Sequence, residues 1–158
     1  MAKVTPFLWF DTQAEEAAQL YTSLVRNSRI TGVTRYPEGT PGMAGTVMTV
    51  TFQLDGQDFI ALNGGPSRPF TEAISFAINC ESQEEVDRLW GRLSEGGATS
   101  QCGWLSDRYG LSWQIVPSVL GTLLADPDLA KAQRVAGALM QMTKIDIATL
   151  QRAHAGER

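Results

Sequence analysis

Apolar residues recur along this chain at two different periods. Between residues 12 and 24, TQAEEAAQLYTSL, the positions Ala17, Leu20, Tyr21 and Leu24 return at helical spacing. Between 47 and 54, Met48, Val50, Phe52 and Leu54 alternate with Val47, Thr49, Thr51 and Gln53, the period of a strand with one buried face. The helical pattern then comes back in SQEEVDRLWGRL, with Val86, Leu89, Trp90 and Leu93 as the stripe. Glu15, Glu16, Leu20, Tyr21 and Leu24 match Glu84, Glu85, Leu89, Trp90 and Leu93 at a constant offset of 69. Each copy opens on a capping-box pattern, Thr12 with Glu15 and Ser82 with Glu85. The paired carboxylates are read as complements of the helix dipole rather than as catalytic acids.

What surrounds the two helices repeats as well. Strands are expected before them, at Thr5–Phe10 and Ile74–Cys80. The first helix leads into strands near Arg29–Tyr36, Gly45–Leu54 and Gln57–Leu62, with Asp55-Gly56 as a hairpin signal. The second leads through a Gly96-Gly97 break into the hairpin QCGWLSDRYGLSWQIVP, whose turn chemistry is Asp107 to Gly110. Each half reads strand-helix-strand-strand-strand, and one such half leaves a sheet face uncovered, so two must combine within or between chains. A turn-rich linker, Asn63 to Pro69, separates them. After the hairpin come Leu120, Leu123 and Leu124, stopped by Asp126-Pro127. A helix from about Asp128 carries Ala132, Val135, Leu139 and Met142, and another runs from Asp146 to Ala153. The expected fold is α+β: tandem βαβββ modules, about 3–62 and 73–118 of a domain spanning 1–118, with helices over 119–158. That extension would cover the chain's own sheet or build a twofold interface.

The segments TPFLWFDTQAEEAAQLYTSL, TEAISFAINC and QCGWLSDRYGLSWQIVP resemble the PhnB-like, demethylubiquinone methyltransferase-like branch of the vicinal oxygen chelate superfamily. Glyoxalase I, extradiol dioxygenases and bleomycin-resistance proteins share that superfamily. The resemblance implies a cup-shaped mixed sheet whose concave face holds a divalent metal through His, Glu or Gln, and it implies a homodimer. At the positions where ligands would fall stand Thr5, Ser75, Ile60 or Ala61, and Gln114. One neutral amide does not offset the dehydration of such an ion, so neither a bound metal nor a cofactor is expected. The single histidine, His154, lies in an expected mobile tail.

Strand alternation says what would line the cup instead. Thr5, Phe7 and Trp9 fall on one side of the first strand; Ser75, Ala77 and Asn79 do so on its counterpart. Thr49, Thr51 and Gln53, then Ser112, Gln114 and Val116, join them. Trp9, Thr49, Thr51, Ser75, Asn79 and Gln114 are therefore the candidate contacts to a small, largely neutral organic ligand. The same polar groups could also bond one another or face water. Cys102 is the candidate nucleophile, in need of a base or a positive potential, with Arg108 near in sequence; a small lining residue is the alternative. Cys80 falls on the helix-facing side and is read as structural.

Two function classes follow: a binding or sequestration protein, and a metabolite-transforming enzyme of lyase, isomerase or dioxygenase type. Methyl transfer from a nucleotide donor gains no support. Asn63-Gly64-Gly65 runs into Pro66 and Pro69, and Gly96-Gly97 follows a helix, so neither opens one as a phosphate-cradling loop does. Composition narrows the partners. With 158 residues, 43% hydrophobic content, a net charge of -4 and a pI near 5.0, the chain has no basic footprint for nucleic acid or anionic membrane. No signal-peptide pattern and no bilayer-length apolar run are seen. Two cysteines fit a reduced, cytoplasmic protein.

Overall fold

The computed structural model describes residues 2–157 and divides into two compact units, Met1–Phe70 and Thr71–Arg158. The first unit runs β1 (Phe7–Phe10), α1 (Ala14–Leu24), β2 (Arg29–Arg35), β3 (Val47–Leu54) and β4 (Gln57–Asn63). Its sheet has the order β1-β4-β3-β2, with β1 parallel to β4 and the other pairs antiparallel. Alternation works as the sequence predicts: Leu8, Phe10, Val50, Phe52, Leu54, Phe59 and Ala61 are buried, and their neighbours face the other way. The small side chains of Ala14, Ala17 and Ala18 let α1 lie close to these residues. Tyr21 meets Phe52 at 6.3 Å between ring centroids, and Phe52 stacks on Phe59 at 5.4 Å. Each such ring contributes about 1.5–3 kcal/mol by leaving water.

The expected capping box of α1 does not form. The N-cap is Gln13, without a side-chain cap bond, and the Ala14 N–H donates instead to Asn63 Oδ1 at 2.8 Å. Asn63 ends β4 and is buried, so its amide must find partners within the protein. Its Nδ2 donates to the Val47 carbonyl at 3.1 Å, and the Tyr36 hydroxyl donates to its own carbonyl. A residue far along the chain thus replaces the local cap.

The second unit repeats the plan with β5 (Ser75–Cys80), α2 (Gln83–Ser94), β6 (Ala98–Thr99), β7 (Trp104–Ser106) and β8 (Ser112–Pro117), in the order β5-β8-β7-β6. Here the local cap does form. Ser82 Oγ accepts from the Glu85 N–H at 3.2 Å, and Glu85 Oε2 accepts from the Glu81 N–H at 2.9 Å. Val86, Leu89 and Leu93 are buried with Cys80, Leu105, Trp113 and Ile115, while Trp90 is half-buried. The hairpin turn is organised by Asp107, itself buried. Its Oδ1 accepts from the N–H groups of Tyr109 and Leu111, and its Oδ2 from the Trp113 indole at 2.9 Å.

Three helices complete this unit: α3 (Val119–Leu124), α4 (Leu129–Leu139) and α5 (Ile147–Ala155). Their apolar stripes meet one another in a cluster of Leu120, Val135, Met142, Ile145 and Leu150, with Val116 packed against it. The segment between α4 and α5 is tied to the hairpin: Cys102 and Gly103 donate their N–H groups to the carbonyls of Met142 and Thr143 at 2.9 and 2.8 Å. Gln83 clamps the same segment to the start of α2, donating to the Ile145 carbonyl and accepting from the Ile147 N–H. His154 is not in a free tail. It lies on α5 with Nε2 2.7 Å from Asp126 Oδ2.

Candidate functional site

Each sheet has a face turned away from its α1 or α2 helix, and the sequence-predicted contact residues lie on these faces. In the first unit, strand register aligns Trp9, Leu62, Thr49 and Thr34 in one row across the sheet. Phe7, Ile60, Thr51 and Gly32 form the next. The polar groups of this face are used internally. Thr49 shares a 2.6 Å hydrogen bond with Thr34, and the Thr31 hydroxyl donates to Thr51 at 3.0 Å. The Trp9 indole donates to the Gly65 carbonyl at 2.9 Å, and the Arg68 guanidinium stands 5.7 Å from the ring centroid. Gly64 packs so tightly on Trp9 that a Cβ there would sit 2.3 Å from the ring. Trp9 is covered by the loop that follows β4.

The second unit differs. Register places Ser75, Ser112 and Ser106 in one row, Ala77, Gln114 and Trp104 in the next, and Asn79 beside Val116. Gln114 Nε2 donates to Ser75 Oγ at 2.9 Å, so these two predicted contacts satisfy each other, while Asn79 is exposed at the far end. Next to them opens a cavity of about 560 Å³, lined by Glu72, Thr99, Ser100, Gln101, Cys102, Trp104, Ser106 and Ser112 together with Ala98 and Leu105. Ser112 is only 2% exposed, and its hydroxyl makes no hydrogen bond among the described residues. Among the described residues no fully buried side-chain oxygen is left unbonded, so the Ser112 hydroxyl keeps enough exposure for water or a ligand to bond it. It faces the cavity.

Ser112, Trp104, Thr99 and Glu72 were not among the residues singled out from sequence. Strand parity already puts Ser112 on the Gln114 side; what it does not show is which of the two hydroxyl and amide rows is left unpaired. Glu72 lies in a linker without periodicity and gave no signal.

Cys102 lines the cavity, but its thiol is directed elsewhere. Its backbone takes φ +59°, a left-handed conformation held by the bond from its N–H to Met142. The Sγ–H donates to the Leu139 carbonyl at 3.5 Å and lies 4.0 Å from Met140 Sδ. Arg108 pairs with Glu95 at 3.6 Å. Cys80 is fully buried, and burial pushes its thiol up to about 12, which keeps it protonated and structural.

The donor set at the positions implied for a metal does not fit one. Thr5 bonds the Ala2 carbonyl, Ala61 is buried on the helix side, Ile60 has no donor, and the Gln114 amide is engaged with Ser75. Among the described residues no three of His, Cys, Asp and Glu come together. Both glycine pairs have packing roles: besides Gly64 under Trp9, a Cβ on Gly97 would fall 2.0 Å from the Ser106 carbonyl oxygen.

With the geometry in view, the chain can be set beside known proteins. A family model described as 3-demethylubiquinone-9 3-methyltransferase matches residues 2–116. Among solved structures, the PhnB protein from Bacillus cereus is 39% identical, with a TM-score of 0.69 over 74% of this chain and 100% of that one. Protein PA1353 from Pseudomonas aeruginosa is 20% identical, with a TM-score of 0.61 over 74% of this chain and 98% of that one. The fosfomycin resistance protein FosX from Listeria monocytogenes is 15% identical, with a TM-score of 0.54 over 79% and 98%. The last two show a shared fold. No curated protein matches.

Proposed function

The chain belongs to the PhnB-like, 3-demethylubiquinone-9 3-methyltransferase-like family of the vicinal oxygen chelate superfamily, and from that premise we propose that it binds a small, largely neutral organic molecule in the cavity of its second unit, without a protein-held metal. The observation that carries this reading is Ser112: a residue only 2% exposed, whose hydroxyl has no hydrogen-bond partner among the described residues and lines a cavity of about 560 Å³ beside Trp104. The ring offers apolar surface, and the hydroxyls of Thr99, Ser106 and Ser112 each donate and accept, which suits alcohols, amides and carbonyls. Ser75, Asn79 and Gln114 border this site as the next rows of the same face; Trp9, Thr49 and Thr51 stabilise the first sheet.

The family description is not read as an activity. The common site for a nucleoside methyl donor uses a glycine-rich loop between a strand and a helix, and both glycine pairs here are taken up by packing. A FosX-like role is also a poor match, since fosfomycin is a phosphonate and the cavity lining offers Glu72 but no Lys or Arg. Turnover of the bound molecule would rest on Cys102, whose thiol is bonded to the Leu139 carbonyl rather than to a base.

Assembly as a homodimer belongs to the same reading, supported by exposed Leu129 and Met140 on the extension. A cytoplasmic setting is supported by two free cysteines. Among the described residues no helix is long and apolar enough to cross a membrane. Light scattering on the purified chain reads the dimer directly, and a monomer at all concentrations would exclude it.

The test of the site is a thermal-shift screen of neutral fragments against the parent, Ser112→Val and Trp104→Leu. Hits that stabilise the parent and lose at least about tenfold in affinity in both variants support the cavity. Hits that stabilise all three proteins equally overturn it.

A further inference from the structure

We infer that the cavity of the second unit prefers, over a wholly neutral molecule, one whose otherwise neutral, apolar body carries a single protonated amine, which replaces the largely neutral class proposed above. This rests on the cavity's being the binding site, and it names the class of molecule that site takes. Glu72 is the only residue in the lining with a formal charge. It is exposed, and it has neither hydrogen bond nor ion pair among the described residues, so no described cation neutralises it. The lining otherwise holds hydroxyls, an amide, a thiol and the Trp104 indole. An unneutralised carboxylate at the wall of a concave site raises the local concentration of cations and repels carboxylates and phosphates. An indole face adds to this, because its electron-rich surface attracts an ammonium group.

Ser112 supplies the second and independent element. Its hydroxyl lines the same cavity with no partner among the described residues and can bond a polar group of the ligand, whatever that ligand's charge. The geometry therefore asks for a molecule with a hydrogen-bonding group for Ser112, apolar body for Trp104, and a cationic end for Glu72. A small amine with aromatic or alicyclic bulk has these parts; an organic acid of the same shape does not. The net charge of -4 acts in the same direction at longer range.

The experiment compares three probes of one shape and different charge: phenethylamine, phenethyl alcohol and 3-phenylpropanoate. Each is titrated by calorimetry into the full-length protein at low salt and again at high salt. The amine is expected to bind about fivefold or more tighter than the alcohol at low salt, with the carboxylate weakest. In Glu72→Gln the amine should lose its advantage over the alcohol, the two binding within about twofold of each other. Glu72 is exposed and bonded to nothing, so this substitution leaves the fold intact. Equal affinity of amine and alcohol for the parent overturns the inference but leaves the cavity as a binding site. Tighter binding of the carboxylate does the same. Failure of all three probes to bind overturns both readings. An amine preference that survives in Glu72→Gln also sinks the inference, because the selecting charge then lies elsewhere.

Discussion

On the open face of the first sheet, Thr49 and Thr51 engage Thr34 and Thr31, and Trp9 lies beneath Gly64 and Arg68. On the second, the Ser112 hydroxyl lines a cavity with no partner among the described residues, and Trp104 lines the same space. Both faces come from one βαβββ plan and carry similar residues. What separates them is pairing. On the first face the cross-strand hydroxyls bond one another and the face closes on itself. On the second, Ser112 lies between Ser75 and Ser106 but bonds neither, and Ser75 accepts from Gln114 one row away. The loop at 100–103 is then held open by the C-terminal helices through Met142, Thr143 and Ile145. The family model matches residues 2–116, so this support comes from residues beyond the matched segment.

The comparison can be broken most forcefully at the two buried polar hubs. Asp107→Ala removes the acceptor of the Trp113 indole and of two backbone N–H groups. It should cost about 3–5 kcal/mol in denaturant unfolding. Asn63→Ala, which removes the acceptor of the Ala14 N–H and the donor to the Val47 carbonyl, should cost about 2–3 kcal/mol. If Asn63→Ala is silent, the first unit is not organised from its centre as described. Next comes Ile145→Ala, which leaves a hole against Gly103 and should cost about 2–4 kcal/mol. Its amide-exchange signature distinguishes it: protection should fall at Cys102 and Gly103, with the first unit unaffected.

Smaller effects sharpen the contrast between the faces. Thr49→Val breaks a made hydrogen bond and should cost about 1 kcal/mol, whereas Ser112→Ala removes an unmade one and should stay within about 0.5 kcal/mol of the parent. A large loss for Ser112→Ala would show that its hydroxyl is already satisfied within the fold. Acid gives the least effect. Asp87 is held below 3.8 by the hydrogen bonds from Gln83 and Lys144, Asp126 by His154, and Asp146 by the Thr149 N–H. A lowered folded value means the stabilisation is present above 3.8 and is lost as pH falls through the lowered values. Exchange in α3–α5, held by three such groups, should therefore accelerate below about pH 3.8 more than exchange in β3 and β4, where one such group, Asp58, is lowered by the bond from Gln53.

Much of this was legible in the sequence because alternation and helical spacing report local geometry. Val50, Phe52, Trp113 and Ile115 sit on the sides their periods dictate, and Asp107 turns the hairpin as its residue type suggests. The errors come from contacts remote in sequence. Thr12 has the right spacing from Glu15 to cap α1, but the helix starts one residue later, from Gln13, and the buried amide of Asn63 accepts from the Ala14 N–H. His154 reads as tail until Asp126 meets it. Gln114 drew attention as the most polar residue of its strand, yet Ser75, one row away on β5, engages it. Ser112, two residues earlier on the same face, meets no such partner, and only the paired strands reveal it.

The central claim is that the second open face, and not the first, holds a ligand. Backbone amide shift mapping with phenethyl alcohol, the uncharged probe, tests it without assuming anything about Glu72. The account predicts saturable shifts at Thr99 to Ser106 and at Ser112, with Val47 to Leu54 unmoved. Shifts confined to Trp9, Thr49 and Thr51, or spread evenly over both sheets, would contradict it.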